Sequence, residues 1–283
     1  MNSCLHHRWA SGLSPHARGA LPPLTRTRAT VCMTPPPAAA APPDDEGDTL
    51  FADLFLNTAT KKCPFTFGCG PAERTLQLEV STAACTDHDL TGQTTWPGAR
   101  LLCAWLADQP DEFFRCPALE LGAGTGLGGL YFASRGGDVY LTDYQPVVLD
   151  LLTRNAPAAA EAAAQAGASA AGRVSVQTLL WGDAEAHARL LGLTPGGQGF
   201  ATLLGADVVY PGSQHALPGL ISSVGALLAP HGCLYLCYCS RARTTDAALF
   251  DGLQQAGFLV TMASEETHEG GVTGAVYCIR RAA

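Results

Sequence analysis

The run Glu120–Gly129 (ELGAGTGLGG) limits the fold of this chain more than any other segment. It overlaps a short apolar stretch, Ala118–Leu121, and leads into a second one, Leu127–Arg135, which ends at Gly136-Gly137. A strand, a glycine-rich turn and a helix with a glycine C-cap account for this order. Glycines in such a turn let a ligand approach the backbone closely, and the following helix offers its N-terminus.

Segments with strand and helix patterns alternate on both sides of this run. The predicted strands are 75–80, 118–121, 138–142, 174–180, 200–206, 233–239 and 272–279. The predicted helices are 127–135, 147–155, 215–228 and 245–256, while the Ala-rich run 157–172 fits either a helix or a surface linker. This alternation predicts an α/β fold with a mostly parallel sheet that is covered on both faces.

The spacing of the glycines bears on which cofactor the turn could hold. Residues 124–129 fit the dinucleotide formula GxGxxG, but that match begins two residues late relative to the end of the strand. The phase set by the strand is Gly122-x-Gly124-x-Gly126, preceded by Glu120, which is the S-adenosylmethionine (SAM) form of the loop. We therefore favour SAM, with NAD as the alternative.

Two residues at predicted strand ends fit the same kind of site. Asp143 lies 21 residues after Gly122, where a carboxylate could accept both ribose hydroxyls of the cofactor. Its alternative role is to cap the helix that starts near Pro146. Trp181 follows the strand 174–180 and could lie against the adenine ring, or alternatively pack in the core.

Taken in order, these motifs resemble the eukaryotic seven-strand protein lysine methyltransferases, methyltransferase family 16, of the methyltransferase-like 21 type. The likeness covers about residues 75–280 and includes an Asp-x-x-Tyr element. The segments that carry it are Gly92–Ala99, Glu120–Gly128, Gly136–Asp143, Leu179–Gly182, Leu204–Tyr210 and Pro230–Arg241. The resemblance implies a class I fold, a Rossmann-like seven-stranded mostly parallel sheet with helices on both faces.

The resemblance also implies an activity and a set of site residues. The activity is SAM-dependent N-methyl transfer to a lysine side chain that a protein substrate presents. Asp207 and Tyr210 would border the opening for the acceptor, with Asp207 binding the lysine ammonium; alternatively they are a capping Asp and a half-buried Tyr. Trp96 would cover the sulfonium of SAM, or else pack on the sheet. The expected cofactor-binding residues are Trp96, Glu120, Gly122, Ala123, Gly124, Thr125, Gly126, Asp143, Trp181 and Ala206.

Several other functions remain as alternatives at this point. The same fold could methylate a small-molecule amine or a protein arginine. More remote alternatives are an NAD-binding oxidoreductase and a protein that binds SAM without catalysis. Intact Asp207 and Tyr210 argue against the last of these, because an inactive relative could lose them.

Composition excludes some classes of partner. The formal net charge of -8 argues against a general nucleic-acid binder, and no apolar run reaches the roughly 18–20 residues of a membrane span. The eleven cysteines form no CxxC pair, so we expect reduced thiols and no metal site. The family resemblance implies a monomer.

The first 49 residues differ from the rest of the chain. Residues 1–43 carry four arginines and no acid, which leaves a net charge of -12 on residues 44–283. Residues 1–33 have the composition of a transit peptide, although a disordered leader or a translation start at Met33 are alternatives. We expect a leader and Pro/Ala linker over 1–49 and a methyltransferase domain over 50–283. The location would be a chloroplast or mitochondrion if the leader is a transit peptide, and the cytoplasm otherwise.

Overall fold

The computed structural model describes residues 59–82, 88–267 and 271–282. The predicted leader, the Pro/Ala linker and the predicted domain start near Leu50 lie outside the described residues. The predicted boundary between residues 49 and 50 therefore stays a prediction.

The regular elements alternate along most of the described residues. The strands are β1 (Thr60–Phe67), β2 (Arg74–Ser81), β3 (Ala118–Leu121), β4 (Val139–Asp143), β5 (Val174–Thr178), β6 (Phe200–Ala206), β7 (Leu228–Tyr238), β8 (Phe258–Thr267) and β9 (Thr273–Arg281). The helices are α1 (Pro97–Ala107), α2 (Leu127–Ser134), α3 (Pro146–Asn155), α4 (Ala158–Gln165), α5 (Ala184–Leu191), α6 (Leu217–Leu227) and α7 (Arg243–Gln255).

Seven of the strands form one sheet in the order β5-β4-β3-β6-β7-β9-β8. The first five strands in this order run parallel, and β9 is antiparallel to both β7 and β8. The predicted fold class is thus confirmed. The chain direction across the sheet reverses at β3, and in such sheets ligands bind at the carboxyl ends of the strands beside this point.

Side chains that alternate along the strands create an apolar core on each face of the sheet. In β3, Ala118 faces the core under α1 to α4, whereas Leu119 and Leu121 face the core under α5 to α7. All three are buried. The apolar run at the start of the glycine loop is therefore the centre of the molecule, and it fixes where the loop emerges.

The Ala-rich run and the N-terminal hairpin pack on the first of these cores. Residues 158–165 form α4, whose Ala158, Ala159 and Ala162 are buried, so this part of the run is a packed helix and no surface linker. The predicted strand 75–80 is β2, and it pairs with β1 in an antiparallel hairpin that is separate from the main sheet.

The structure adds elements that the sequence did not predict and moves several boundaries. The added elements are β1, β8, α1 and α5. The strand predicted over 174–180 ends at Thr178, so Trp181 follows it after a short irregular segment. The helix predicted over 215–228 begins with a 3-10 turn at Gln214–Ala216, and the strand predicted over 233–239 already begins at Leu228.

Two further observations concern the described part of the chain. None of its helices combines the length and the apolar character that crossing a membrane requires. Its eight cysteines are free thiols, and it contains no cluster of three or more metal-ligating side chains.

Asn155 connects three parts of the fold, and its removal should destabilise the protein. Its Oδ1 accepts the Glu79 N–H at 2.7 Å, and its Nδ2 donates to the carbonyl oxygens of Glu79 and Thr125, each at 3.0 Å. Asn155→Ala leaves these buried groups unpaired and should lower the free energy of unfolding by about 2 kcal/mol or more. Urea denaturation measures this change. Thr153→Ala, on the exposed side of the same helix, is the control; an equal loss there would contradict the assignment.

Candidate active site

The glycine loop follows β3 and has an unusual backbone. Gly122, Gly124 and Gly126 have φ values of 59°, 55° and 85°, a left-handed region that residues with a side chain rarely adopt. Gly128 and Gly129 lie inside α2 instead. The left-handed positions are therefore Gly122, Gly124 and Gly126, which is the spacing counted from the end of the strand. This spacing supports the SAM form of the loop over the dinucleotide form.

Gly122 also leaves space that other side chains use. A Cβ at this position would lie 2.9 Å from Cγ1 of Val208 and 3.0 Å from Cζ2 of Trp181. The half-buried indole of Trp181 thus stands against the start of the loop, while its other side packs on the core under α5 and α6. Both interpretations of Trp181, ligand contact and core residue, fit this position.

Glu120 is buried beneath the loop. Its Oε2 accepts the N–H of Gly129 at 2.9 Å, in the first turn of α2, and the glycines at 128 and 129 leave room for the carboxyl group. Burial raises the pKa of Glu120 to about 8. The charge of Asp143 also raises this pKa, whereas the hydrogen bond from Gly129 lowers it. The side chain therefore supports the loop from below; direct contact with SAM stays a prediction.

Asp143 ends β4 beside the loop. Its Oδ2 accepts the N–H of Gly124 at 3.2 Å, and its Oδ1 accepts the N–H of Tyr144 at 2.8 Å and of Gln145 at 3.4 Å. Burial raises its pKa, and these three amides oppose that rise. The carboxylate is thus tied to the turn before α3 and to the loop, and its contact with a ribose stays a prediction.

The segment Thr91–Trp96 crosses over the loop. A Cβ on Gly124 would lie 2.9 Å from the carbonyl oxygen of Gly92, and the hydroxyls of Thr95 and Thr125 are 3.2 Å apart. Thr125 is buried, as is the neighbouring Ala123, whose N–H donates to the Thr142 carbonyl at 2.8 Å. The loop is therefore held from above by this segment and from the side by β4.

Asp207 follows β6 and has the most constrained side chain of the site. Among the described residues it is the single non-glycine residue with positive φ, at 53°. Its buried carboxylate accepts four hydrogen bonds. Oδ2 bonds to the Gly98 N–H at 2.8 Å and to Nη2 of Arg241 at 2.9 Å. Oδ1 bonds to Nη1 of Arg241 at 3.1 Å and to the Cys239 N–H at 3.4 Å.

Arg241 is a site residue that the sequence analysis did not single out. Besides its two bonds to Asp207, its guanidinium carbon lies 5.7 Å from the centre of the Trp96 ring. Trp96 is 39% exposed, and its Nε1 donates to the carbonyl of Thr91 at 2.9 Å. The sequence offers one signal for it, an arginine shortly after the apolar strand β7, which pairs with the strand β6 that leads into the Asp-x-x-Tyr motif. Sequence alone does not reveal that the two side chains meet.

Tyr210 completes this side of the site. Its hydroxyl lies 3.4 Å from Oγ1 of Thr91, and its backbone N–H donates to Oγ of Ser213 at 2.9 Å. Ala206, the last residue of β6, is half-buried directly before Asp207. The structure thus gathers Trp96, Asp207 and Tyr210 around Thr91 and Arg241, while Gly92 and Thr95 of the same segment meet the glycine loop at Gly124 and Thr125.

Comparison with known proteins gave consistent findings. A family model described as lysine methyltransferase matches residues 76–256. Mouse EEF1A lysine methyltransferase 3 is 32% identical over 171 residues, which are 60% of this chain and 66% of that protein. Zebrafish protein N-lysine methyltransferase METTL21A is 35% identical over 129 residues, 46% of this chain and 52% of that protein. The chain thus spans less than two thirds of either relative.

Among solved structures, the Thermus thermophilus 16S rRNA N2 G1207 methyltransferase aligns with a TM-score of 0.49 and 16% identity. The alignment covers 78% of this chain and 51% of that one.

A substitution in the loop should separate backbone strain from loss of the ligand site. Gly122→Ala places a methyl group against Trp181 and Val208 at a left-handed φ, so both the melting temperature and SAM affinity should fall. Gly167→Ala is the matched control, since Gly167 has φ 70° and no atom within 4 Å of its added Cβ. It should lose stability but keep SAM affinity in calorimetry. Unchanged SAM affinity in Gly122→Ala would contradict the assigned site.

Glu120 should make stability depend on pH. Its carboxyl keeps its proton up to about pH 8 in the folded protein. In the unfolded chain it loses the proton near about pH 4.3. The unfolded state binds fewer protons between these values, so the free energy of unfolding should decrease as pH rises through this window. Glu120→Gln should remove this pH dependence. Its free energy of unfolding should be about 1–3 kcal/mol higher than that of the wild type at pH 8.5, with a smaller difference at pH 5.

Urea denaturation at both pH values measures the effect of Glu120. Glu161→Gln, at an exposed position of α4, controls for the general loss of one negative charge. A pH-independent difference between Glu120→Gln and the wild type would show that the buried carboxyl is already ionised near neutral pH.

Proposed function

Because the chain belongs to the lysine methyltransferase family, we propose that it uses SAM to methylate the side chain of a lysine in a protein. The observation that carries the proposal is that the segment 91–96 contacts both parts of the site. Thr95 meets the glycine loop at Thr125, and Thr91 meets Tyr210 of the Asp-x-x-Tyr element. A donor and an acceptor held there would meet beneath one segment of chain.

The residues around the loop fit SAM. The left-handed glycines leave a backbone surface without side chains for the amino-acid part, and the Asp143 carboxylate is suited to the two ribose hydroxyls. Trp181 offers an indole for the adenine. Ala206 and Trp96 complete the expected set, although one face of Trp96 is already covered by Arg241. SAM supplies a methyl group that its positive sulfur makes electrophilic.

The acceptor side must present a neutral amine. A lysine in water has a pKa of about 10.4 and is mostly protonated at pH 7, so it lacks the lone pair that attack requires. As the new N–C bond forms from this lone pair, the C–S bond breaks and its electrons stay on sulfur. The Tyr210 hydroxyl, close to Thr91, is suited to accept an N–H of the amine and so to direct the lone pair.

The geometry favours a different role for Asp207 from the one that the sequence predicted. A carboxylate offers about four lone-pair sites, and Asp207 already accepts four hydrogen bonds. Direct binding of the lysine ammonium would require the release of one of them. We therefore assign Asp207 to positioning, since it joins the end of β6 to the start of α1 and to the residues that follow β7.

The acceptor class rests on relatives and on charge. The mouse relative is named for elongation factor EEF1A, and the zebrafish relative is named as an enzyme that acts on protein lysines. The net charge of -12 on residues 44–283 suits a Lys-rich protein surface. Methylation of arginine or of a small-molecule amine are the outcomes that would replace this proposal.

Incubation of the full chain with methyl-labelled SAM and a cell lysate tests the acceptor. We expect labelled protein bands whose peptides carry the methyl group on lysine in mass spectrometry. Label on arginine would change the residue class. Label confined to small molecules would overturn the protein-lysine assignment.

Two substitutions should affect opposite sides of the site. Tyr210→Phe removes one hydrogen bond to the acceptor and should lower kcat about tenfold or more, with SAM affinity within about twofold of the wild type. Asp143→Ala should instead weaken SAM binding about ten- to hundredfold, since charged hydrogen bonds are lost. Calorimetry and initial rates measure the two effects. The reverse pattern would exchange the assigned roles.

A further inference from the structure

Asp207 and Arg241 form a bidentate ion pair at the proposed acceptor side. The two nitrogen–oxygen distances are 2.9 and 3.1 Å. The side chain of Asp207 is 1% exposed and that of Arg241 is 29% exposed. The pair is therefore anchored at its acidic end inside the protein, and its basic end reaches the surface against Trp96.

The pair places no net charge beside the acceptor opening. The backbone N–H groups of Gly98 and Cys239 occupy the other lone pairs of the carboxylate. An isolated carboxylate in this position would attract any ammonium that enters, because attraction between opposite charges is strong away from water. With the guanidinium in place, that attraction is cancelled within the protein.

Resting on the proposed function, we propose that Arg241 is a positioning residue that neutralises Asp207, so that the acceptor side receives lysine as its uncharged amine. A bare Asp207 would hold the acceptor in its ammonium form, whose nitrogen has no lone pair to attack the methyl carbon. The paired Asp207 keeps its structural bonds without this effect. The acceptor proton is then released to solvent as the side chain leaves water, and the amine nitrogen arrives ready to react.

The thiols and the phenol nearest the pair stay neutral around neutral pH. Burial raises the pKa of Cys239, directly after β7, to about 12, and it raises those of Cys237 and Tyr238 within β7 further. From α1, the group that meets Asp207 is the backbone amide of Gly98. Two more carboxylates act at one remove, Asp246 of α7 through Tyr238 and Glu266 of β8 through Cys237. The charge in direct contact with Asp207 is therefore that of Arg241, while Asp246 and Glu266 act on the surrounding Tyr238 and Cys237.

Opposite changes to the two partners test the proposal by ligand affinity alone. SAM carries a positive sulfur, whereas its product S-adenosylhomocysteine does not, so the ratio of their affinities reports the charge beside the reacting centre. Arg241→Gln leaves the acid unpaired and should shift the ratio about threefold or more toward SAM. Asp207→Asn leaves the base unpaired and should shift it by a similar factor toward S-adenosylhomocysteine.

Two further variants serve as controls in the same calorimetric experiment. The double variant Arg241→Gln with Asp207→Asn should return the ratio to within about twofold of the wild type. Arg241→Lys keeps the charge but loses the bidentate geometry, so its ratio of SAM to S-adenosylhomocysteine affinity should also stay near that of the wild type. Melting temperatures establish that each variant is folded. The Arg241 side chain reaches the surface, so we expect Arg241→Gln to fold. If the buried Asp207→Asn variant does not fold, the direction in which Arg241→Gln shifts the affinity ratio decides the test.

The rate of methyl transfer gives a second readout. Arg241→Gln should lose more activity at pH 7.5 than at pH 9.5, by about threefold or more, because its acceptor stays protonated to higher pH. A uniform loss at both pH values, or affinity ratios of the two single variants that move in the same direction, would mean that the pair acts through structure alone. Faster transfer by Arg241→Gln would mean that the guanidinium blocks the opening. Each of these results overturns the proposal.

The design separates this proposal from the proposed function. If the wild type binds SAM but methylates no lysine, the proposed function is wrong, and the affinity ratios still decide the charge balance of the pair. If the wild type binds neither ligand, both proposals fail.

Discussion

The hydrogen bonds of the Asp207 carboxylate tie together three elements that are distant in sequence. They join the end of β6 to the first turn of α1, 109 residues earlier, and to residues that follow β7, up to 34 residues later. The side chain can reach all of these partners because its own backbone turns into the left-handed region directly after the strand. Asp tolerates this conformation better than most residues with a side chain. This side of the crevice depends on the hydrogen bonds of this one carboxylate.

A second buried carboxylate, Glu120, organises the other side. It lies under the glycine loop and faces the first turn of α2, while Asp143 meets the loop at the end of β4. Each accepts a backbone N–H of the loop region, so both acids shape the chain around the crevice. The crevice is thus built by acids that serve as structural acceptors, and the segment 91–96 contacts both the glycine loop and Tyr210.

Much of the fold could be predicted because its signals are local. The phase of the loop follows from the end of β3, since the three left-handed residues of the loop are all glycine. The central strands β3 and β6 are apolar because they are covered on both faces. The helix α4 could not be distinguished from a linker, because an alanine run carries no apolar stripe until something packs on it. The strand β1 has weak local preference, with Lys61, Lys62 and Pro64 in its sequence, and it depends on its partner β2.

The site was harder to predict where it depends on tertiary contacts. Asp207 and Tyr210 were found through their motif, yet the sequence does not show that Arg241 already occupies the carboxylate. Burial of Glu120 is likewise a property of the packed structure, because two glycines of α2 make the space for it. Motifs therefore predict which residues form the site, and their roles stay predictions, whereas the charge of each group depends on neighbours from other elements.

The buried thiol of Cys239, beside Asp207, bears on the resistance of the protein to chemical modification. Sulfur is among the best acceptors of a methyl group, but the thiolate is the nucleophile, and the protonated thiol reacts poorly. Burial raises the pKa of Cys239 to about 12, and the negative charge of Asp207 acts in the same direction. The Cys239 thiol therefore stays protonated and reacts poorly with alkylating agents, which protects the point where the Cys239 amide joins the carboxylate.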